Sequence, residues 1–317
     1  MPTQDTVASS TGAPQRRSLE ATSPRYGEKA IKVLLGVAAA FSVAVTAGIV
    51  LSLLFGAIDF FEQVPVVDFL FGTDWAPSFA DPEFGVVPIV VGTLNIVFWA
   101  LIVAVPVGLS AAIYMSEYAP RRVRKTIKPM LEILEGIPTV AIGLFALYFL
   151  RPLAEDVFPF LSWRGPFSVG VAGVAVGLLI VPLVASVSDD AMRSVPQGLR
   201  EGAYALGASK VRVAIRVVFP AAISGIVAAF VLAISRAIGE TMVVLMAAGA
   251  TPQLSIDPTE SVQTMTAYIG QTSTGDIAIG TIDYYTIFAV GALLFVLTFL
   301  MNIFAIRLVR RFREVYE

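Results

Sequence analysis

The chain has 317 residues, 56% of them hydrophobic and 15% charged, with a formal net charge of −2 and a mean hydropathy of +0.80. Soluble domains carry about 25% charged residues, so this is the composition of an integral membrane protein. With no cysteine and no histidine, disulfides, thiol nucleophiles, thiolate or imidazole metal sites and histidine-based triads are excluded.

Residues 1–29 are polar and contain Arg16, Arg17, Arg25 and Lys29; they read as a disordered tail. The apolar run over 31–55 is too long for a signal-peptide core, so an uncleaved first helix is expected. Further apolar runs over 87–114, 130–150, 168–187, 221–246 and 285–308 are each long enough to cross a bilayer. The expected fold is all-α with six transmembrane helices, and six spans put both ends on one side. Arg121, Arg122, Arg124, Lys125 and Lys128 follow the second run; Arg193, Arg200, Lys210, Arg212 and Arg216 follow the fourth. Arg307, Arg310, Arg311 and Arg313 close the chain. Between Lys32 and Arg121 there are only acids, and the last long loop carries Asp257, Glu260, Asp276 and Asp283. Positive residues stay inside, which places both termini in the cytoplasm and the acidic loops outside, with Arg151 and Arg164 as exceptions. The expected organisation is a tail over 1–29, a transmembrane domain over 30–312 and a short cytoplasmic end over 313–317.

Local patterns refine this outline. Glu132 and Glu135 lie at the cytoplasmic start of the third run, where carboxylates are solvated or paired with bases. Gly136 and Pro138 follow them, and Pro138 is expected to bend the helix. Gly173 and Gly177 give the fourth run a small-xxx-small packing face. Asp189 and Asp190 share its inner end, so they are not the two-helix acid pair of an intramembrane protease. In the last long loop, Asp257, Pro258 and Glu260 have the spacing of a helix start. Val262, Met265 and Ile269 then form a stripe before Gly270, which predicts a short surface helix, either a docking element or a loop filler.

The loop over 194–220 predicts two short helices. Ser194 is placed to cap the first, whose apolar face is Leu199, Ala203 and Leu206, and Gly207 permits the reversal after it. Ser209 is placed to cap the second, which runs to Pro220. The pair is either a lever or a connector lying on headgroups. The run over 221–246 holds Arg236 and Glu240, four residues apart and so on one helix face, with Ala229, Ala233 and Ala237 beside them. A charge at the centre of a membrane helix costs about 2.5–3.5 kcal/mol. Arg236 and Glu240 therefore either line a path or neutralise each other as a structural pair.

Some of these residues form known patterns. Glu201-Gly202-Ala203, Gly207 and Val217-Val218-Phe219-Pro220 resemble the "EAA" coupling loop of ATP-binding-cassette importer permeases, with Gly202, Val217 and Phe219 as mild departures. Ser235-Arg236-Ala237-Ile238-Gly239-Glu240-Thr241-Met242 and Gly136-Ile137-Pro138-Thr139-Val140 resemble signatures of the phosphate-specific permeases of the PstC type. Phe84-Gly85, Pro88 and Gly92-Thr93 are similar to the approach to the second helix in that family. The resemblance implies a type I importer fold, with Glu201, Gly202, Ala203, Gly207 and Pro220 in the loop that meets an ATPase. It implies a substrate path past Arg236, Glu240, Thr241 and Thr139, with Gly136, Pro138 and Gly239 as hinges. It also implies a PstA-type permease partner, a PstB-type ATPase dimer that binds the ATP and magnesium, and an extracytoplasmic phosphate-binding protein.

The chemistry is compatible with that expectation. Desolvating phosphate needs a counter-charge, and a guanidinium fork fits two of its oxygens. Arg236 is the one base deep inside a run. Glu240 would neutralise it when the path is empty, and offers an acceptor to protonated phosphate that sulfate could not use. No G-x-x-x-x-G-K-[ST] loop occurs, so no cofactor is expected in this chain and the energy source lies in another. A permease for molybdate, tungstate or sulfate, and an ATP-independent anion channel, are the competing readings.

Overall fold

The computed structural model describes residues 26–312. Most of the expected tail and residues 313–317 lie outside the described residues. Helix α1 (Tyr26–Phe61) begins a turn before the expected end of the tail. The chain forms two compact units, divided between Ile49 and Val50. In the first, the apolar side chains from Ile31 to Ile49 are exposed along the helix, the pattern of a surface made for lipid or another chain rather than water.

The second unit continues α1 and adds α2 (Val66–Phe71), then a hairpin of β1 (Trp75–Ala76) and β2 (Glu83–Phe84). The strands are antiparallel, with Trp75 opposite Phe84. Helix α3 (Val87–Ile113) ends in a wide π turn over Tyr114–Tyr118 and is followed by α4 (Arg121–Glu135). Then come α5 (Thr139–Phe145), α6 (Arg151–Val157) and the long α7 (Val169–Arg193). The connecting loop holds α8 (Gln197–Ala205), α9 (Lys210–Val213) and α10 (Phe219–Ala221). Last are α11 (Ile223–Ile238), α12 (Met242–Ala247), α13 (Met265–Ser273) and α14 (Ile282–Phe312). Among the described residues, the regular structure is helical but for the two-residue strands of the hairpin.

Among the described residues, four helices are long and apolar enough to cross a membrane: those over 28–61, 87–118, 169–193 and 282–310. The count is six if two bent pairs are each taken as one span. Helix α7 is the centre. Ser168 caps it, accepting from Val171 N at 3.2 Å, and its Gly173 and Gly177 lie directly on α3. A Cβ at Gly177 would stand 2.7 Å from the Ala100 carbonyl oxygen, and one at Gly173 would strike Trp99. The small-residue face is there for packing, as expected.

The two bent pairs correct the sequence reading. A third span was expected from Met130, but residues 130–135 belong to α4, which has no buried residue and meets the following helices at 89°. The break falls at Gly136–Pro138, where Pro138 directly precedes α5. A single helix was expected over 221–246, but α11 stops at Ile238 and α12 starts at Met242. The sharp bend of 72° instead lies between the segment ending at Ala221 and α11.

Two capping expectations also fail. Ser194 does not cap α8, because α7 continues to Arg193 and the Ser194 hydroxyl donates back to Ala191 O at 2.7 Å. No helix starts at Asp257. Its carboxylate instead accepts from Thr259 N at 2.9 Å and from the Thr259 hydroxyl at 2.8 Å, closing a turn. Those two bonds, with Arg164 adding a smaller attraction against slight burial, hold the Asp257 carboxyl below its usual range. The loop helix is α13, capped by Thr264, and it is buried rather than superficial: Met265, Thr266, Ala267 and Tyr268 all face inward. The Gly92-Thr93 pair explains its position. Gly92 abuts the Gln263 carbonyl, and the Thr93 hydroxyl accepts from Met265 N at 3.1 Å. Around this end Phe60, Phe69, Phe84, Trp75 and Tyr268 form a cluster of edge-to-face rings.

Candidate functional site

The break between α11 and α12 is built around Glu240. Its carboxylate lies past the end of α11, not on the helix face the spacing predicts, and is 3% exposed. One oxygen accepts from Arg236 Nη1 at 2.5 Å and the other from Val243 N at 3.4 Å, in the first turn of α12. Its backbone carbonyl accepts from the Thr266 hydroxyl at 2.7 Å. One residue thus ties α11, α12 and α13 together. Ala229, Ala233 and Ala237 are buried, but Arg236 is not with them. Its side chain is 42% exposed, on the flank shared with Leu232 and Gly239. Next to it the Ser235 hydroxyl donates to Asn302 Oδ1 at 3.1 Å, fastening α14 to α11.

The guanidinium of Arg236 is therefore half used. Nη1 is taken by Glu240, while Nη2 and Nε have no partner among the described residues. Half-exposed cation, buried counter-charge and broken backbone occur together where the flanking sequence is apolar. Thr241 stands at the start of α12, and its hydroxyl reaches only Gly239 O at 3.4 Å. Thr139 stands at the start of α5, which packs on α12 through Gly143: a Cβ there would lie 3.1 Å from Met246 and 3.3 Å from Met242 O. Thr139 forms no side-chain hydrogen bond among the described residues. The structure thus brings the two broken segments together at α5 and α12, and leaves Gly136, Pro138 and Gly239 exposed at their breaks.

The second group of expected residues is on the loop over 194–220. Glu201 and Gly202 are exposed on α8, Gly207 adopts φ +76° at its end, and Pro220 is exposed in α10. Ser209 caps α9 as expected, accepting from Arg212 N at 3.4 Å. The predicted apolar face is only partly right. Ala203 packs inward, whereas Leu206 is 91% exposed and Leu199 also faces out.

Sequence reasoning missed the residues that hold this loop. Arg200, read as one more positive charge, is the one buried residue of α8. Its Nη1 donates to Val195 O at 2.6 Å, and its Nη2 to Met192 O at 2.8 Å and to Glu117 Oε1 at 3.0 Å. Asp189 is fully buried and accepts twice from Arg124, at 2.7 and 3.2 Å, while Lys128 binds Asp190. These bonds tie α4 to the end of α7. The partners are 65 and 83 residues apart in the chain, so no local spacing marks them.

Known proteins share this architecture. Residues 104–314 match the family described as binding-protein-dependent transport system inner membrane component. The chain is 34% identical over 237 residues to the probable ABC transporter permease protein YqgH of Bacillus subtilis, covering 75% of each chain. It is 35% identical over 249 residues to the phosphate transport system permease protein PstC 1 of Mycobacterium tuberculosis, covering 72% of this chain and 73% of that one. In fold it resembles a chain from the crystal structure of a bacterial ABC transporter that imports alginate. That match has a TM-score of 0.61 at 14% identity, over 92% of this chain and all of the other. The chain belongs to the inner membrane components of binding-protein-dependent transport systems.

Proposed function

We propose that this chain is the permease subunit of an ATP-driven importer of inorganic phosphate. The observation that carries the reading is Arg236: a permanent cation in an apolar helix, 42% exposed, with half its donors unbonded among the described residues and a buried carboxylate beside it. Such a charge does not face hydrocarbon, so it faces a water-filled path or a second chain. Phosphate is the anion that the similarity to PstC-type relatives favours over molybdate, tungstate or sulfate. It would dock on the free Nη2 and Nε edge, while Glu240 keeps the site weak enough to release it. Both termini lie in the cytoplasm in this reading, and Thr241 and Thr139 flank the path.

The exposed face of α8, with Glu201, Gly202, Leu206 and Gly207, meets an ATPase that binds ATP and magnesium; Ala203 and Pro220 shape the loop behind it. A PstA-type permease completes the path, a PstB-type ATPase dimer drives it, and an extracytoplasmic phosphate-binding protein delivers the anion to the acidic loops. The test is ATP-dependent uptake of labelled phosphate by the reconstituted complex. Losing the charged fork in Arg236→Gln removes roughly 3 kcal/mol of charge-assisted bonding, so uptake falls about 100-fold. Uptake that is equal in the variant and the wild type overturns the assignment.

A further inference from the structure

We infer that Arg200 and Glu117 form the link that carries displacement of α8 into the membrane helices. The inference rests on the reading above, in which α8 meets an ATP-hydrolysing partner, and assigns that coupling to particular internal bonds.

Most of α8 faces outward, and an exposed helix can only pass on a push through what grips it from behind. Two things do so. Ala203 makes an apolar contact, joining a small cluster that includes Met192, Val213 and Val218. Arg200 makes three directed hydrogen bonds, to Met192 O, Val195 O and Glu117 Oε1. Apolar contacts are non-directional and let surfaces slide, whereas a planar guanidinium with three fixed acceptors resists shear. Its side chain is 9% exposed and that of Glu117 is 5% exposed, with apolar neighbours around them. Little water can replace these bonds while the helix moves.

The anchors lie on different elements. Met192 is in the last turn of α7, and Val195 follows it. Glu117 sits in the wide turn that ends α3, a backbone form often found at functional sites. The Ser116 hydroxyl donates to the same Glu117 oxygen at 2.9 Å and fixes its orientation. Moving α8 therefore tows the ends of both α3 and α7. One residue before Met192, Ala191 is pressed against Gly225 of α11, where no Cβ would fit. The towed end of α7 thus bears on the helix that carries Arg236. Arg200 and Glu117 are positioning residues; neither touches the solute.

The test counts phosphate imported per ATP hydrolysed by the complete complex in proteoliposomes. Arg200→Lys keeps the charge but cannot reach all three acceptors, and Glu117→Gln keeps an acceptor but not the charge. With the link weakened, both variants assemble and hydrolyse ATP, but phosphate imported per ATP falls about tenfold. The inference is overturned if the ratio is unchanged, whether both rates hold or fall together. It is overturned equally if neither variant assembles, since the pair would then serve only to hold the fold. Wild-type complex that imports no phosphate at the expense of ATP removes the underlying reading and the link with it. A coupled wild type with equally coupled variants removes the link alone.

Discussion

Two arginine–glutamate pairs, Arg236–Glu240 and Arg200–Glu117, use the same chemistry for opposite ends. In both, the glutamate side chain is nearly sealed, at 3% and 5% exposed. The arginines differ: Arg236 is 42% exposed and spends one nitrogen on its partner, whereas Arg200 is 9% exposed and spends two on three acceptors. A pair closed off from solvent, with both terminal nitrogens of its arginine bonded, is a joint. A pair with an open edge can take a ligand. Exposure of the cation, not the presence of the pair, separates the two roles.

Truncating the two glutamates breaks this comparison most sharply. Glu117→Ala leaves Arg200 buried without a counter-charge and is expected to cost about 3–5 kcal/mol. Glu240→Ala frees an arginine that is already 42% exposed, so on the proposed path the main loss is the bond to Val243 N in the first turn of α12, about 1 kcal/mol. Thermal unfolding of the two solubilised variants measures the difference, and equal losses would erase the distinction. A smaller effect follows from the bond that holds α13 to the break. Thr266→Val removes the donor to Glu240 O and is expected to lower stability by about 1 kcal/mol, with faster hydrogen exchange in α13.

The smallest effect concerns pH at the acidic end. Folding lowers the Asp257 pKa through its bonds to Thr259. That contribution to stability is therefore present above the unfolded value, about 3.9, and is lost as pH falls through the lower folded value. Thermal scans between pH 5 and pH 2 should show a slight drop that Asp257→Asn removes. Because Asp257 is exposed, salt should weaken it further.

Much of the scaffold was legible because apolar run length alone specifies a crossing helix. The helices over 28–61, 87–118, 169–193 and 282–310 are long runs without strong interruption. The break at Pro138 was legible too, since proline has a fixed backbone angle and no N–H. The break at Gly239–Thr241 could not be read from run length or local chemistry, although the family resemblance pointed to Gly239 as a hinge. Apolar residues continue on both sides, and the chain leaves the helix because Glu240 finds Val243 N and Thr266, a partner 26 residues away. Gly207 and Ser209 were readable from local turn chemistry, whereas Ser194 and Asp257 found nearer partners than the helix starts expected of them. Arg236 and Glu240 stood out as charges in an apolar run. Arg200 did not, because its burial depends on Glu117 and on the folded end of α7.

The most direct test is whether water reaches position 236. The chain has no cysteine, so Arg236→Cys gives a unique thiol in this subunit, with exposed Ile279→Cys as a reference. In the assembled transporter, a membrane-impermeant anionic thiol reagent supplied from both sides should label position 236 in at least one nucleotide state. A position 236 thiol unlabelled in every state, while position 279 reacts, would contradict a solute path past Arg236.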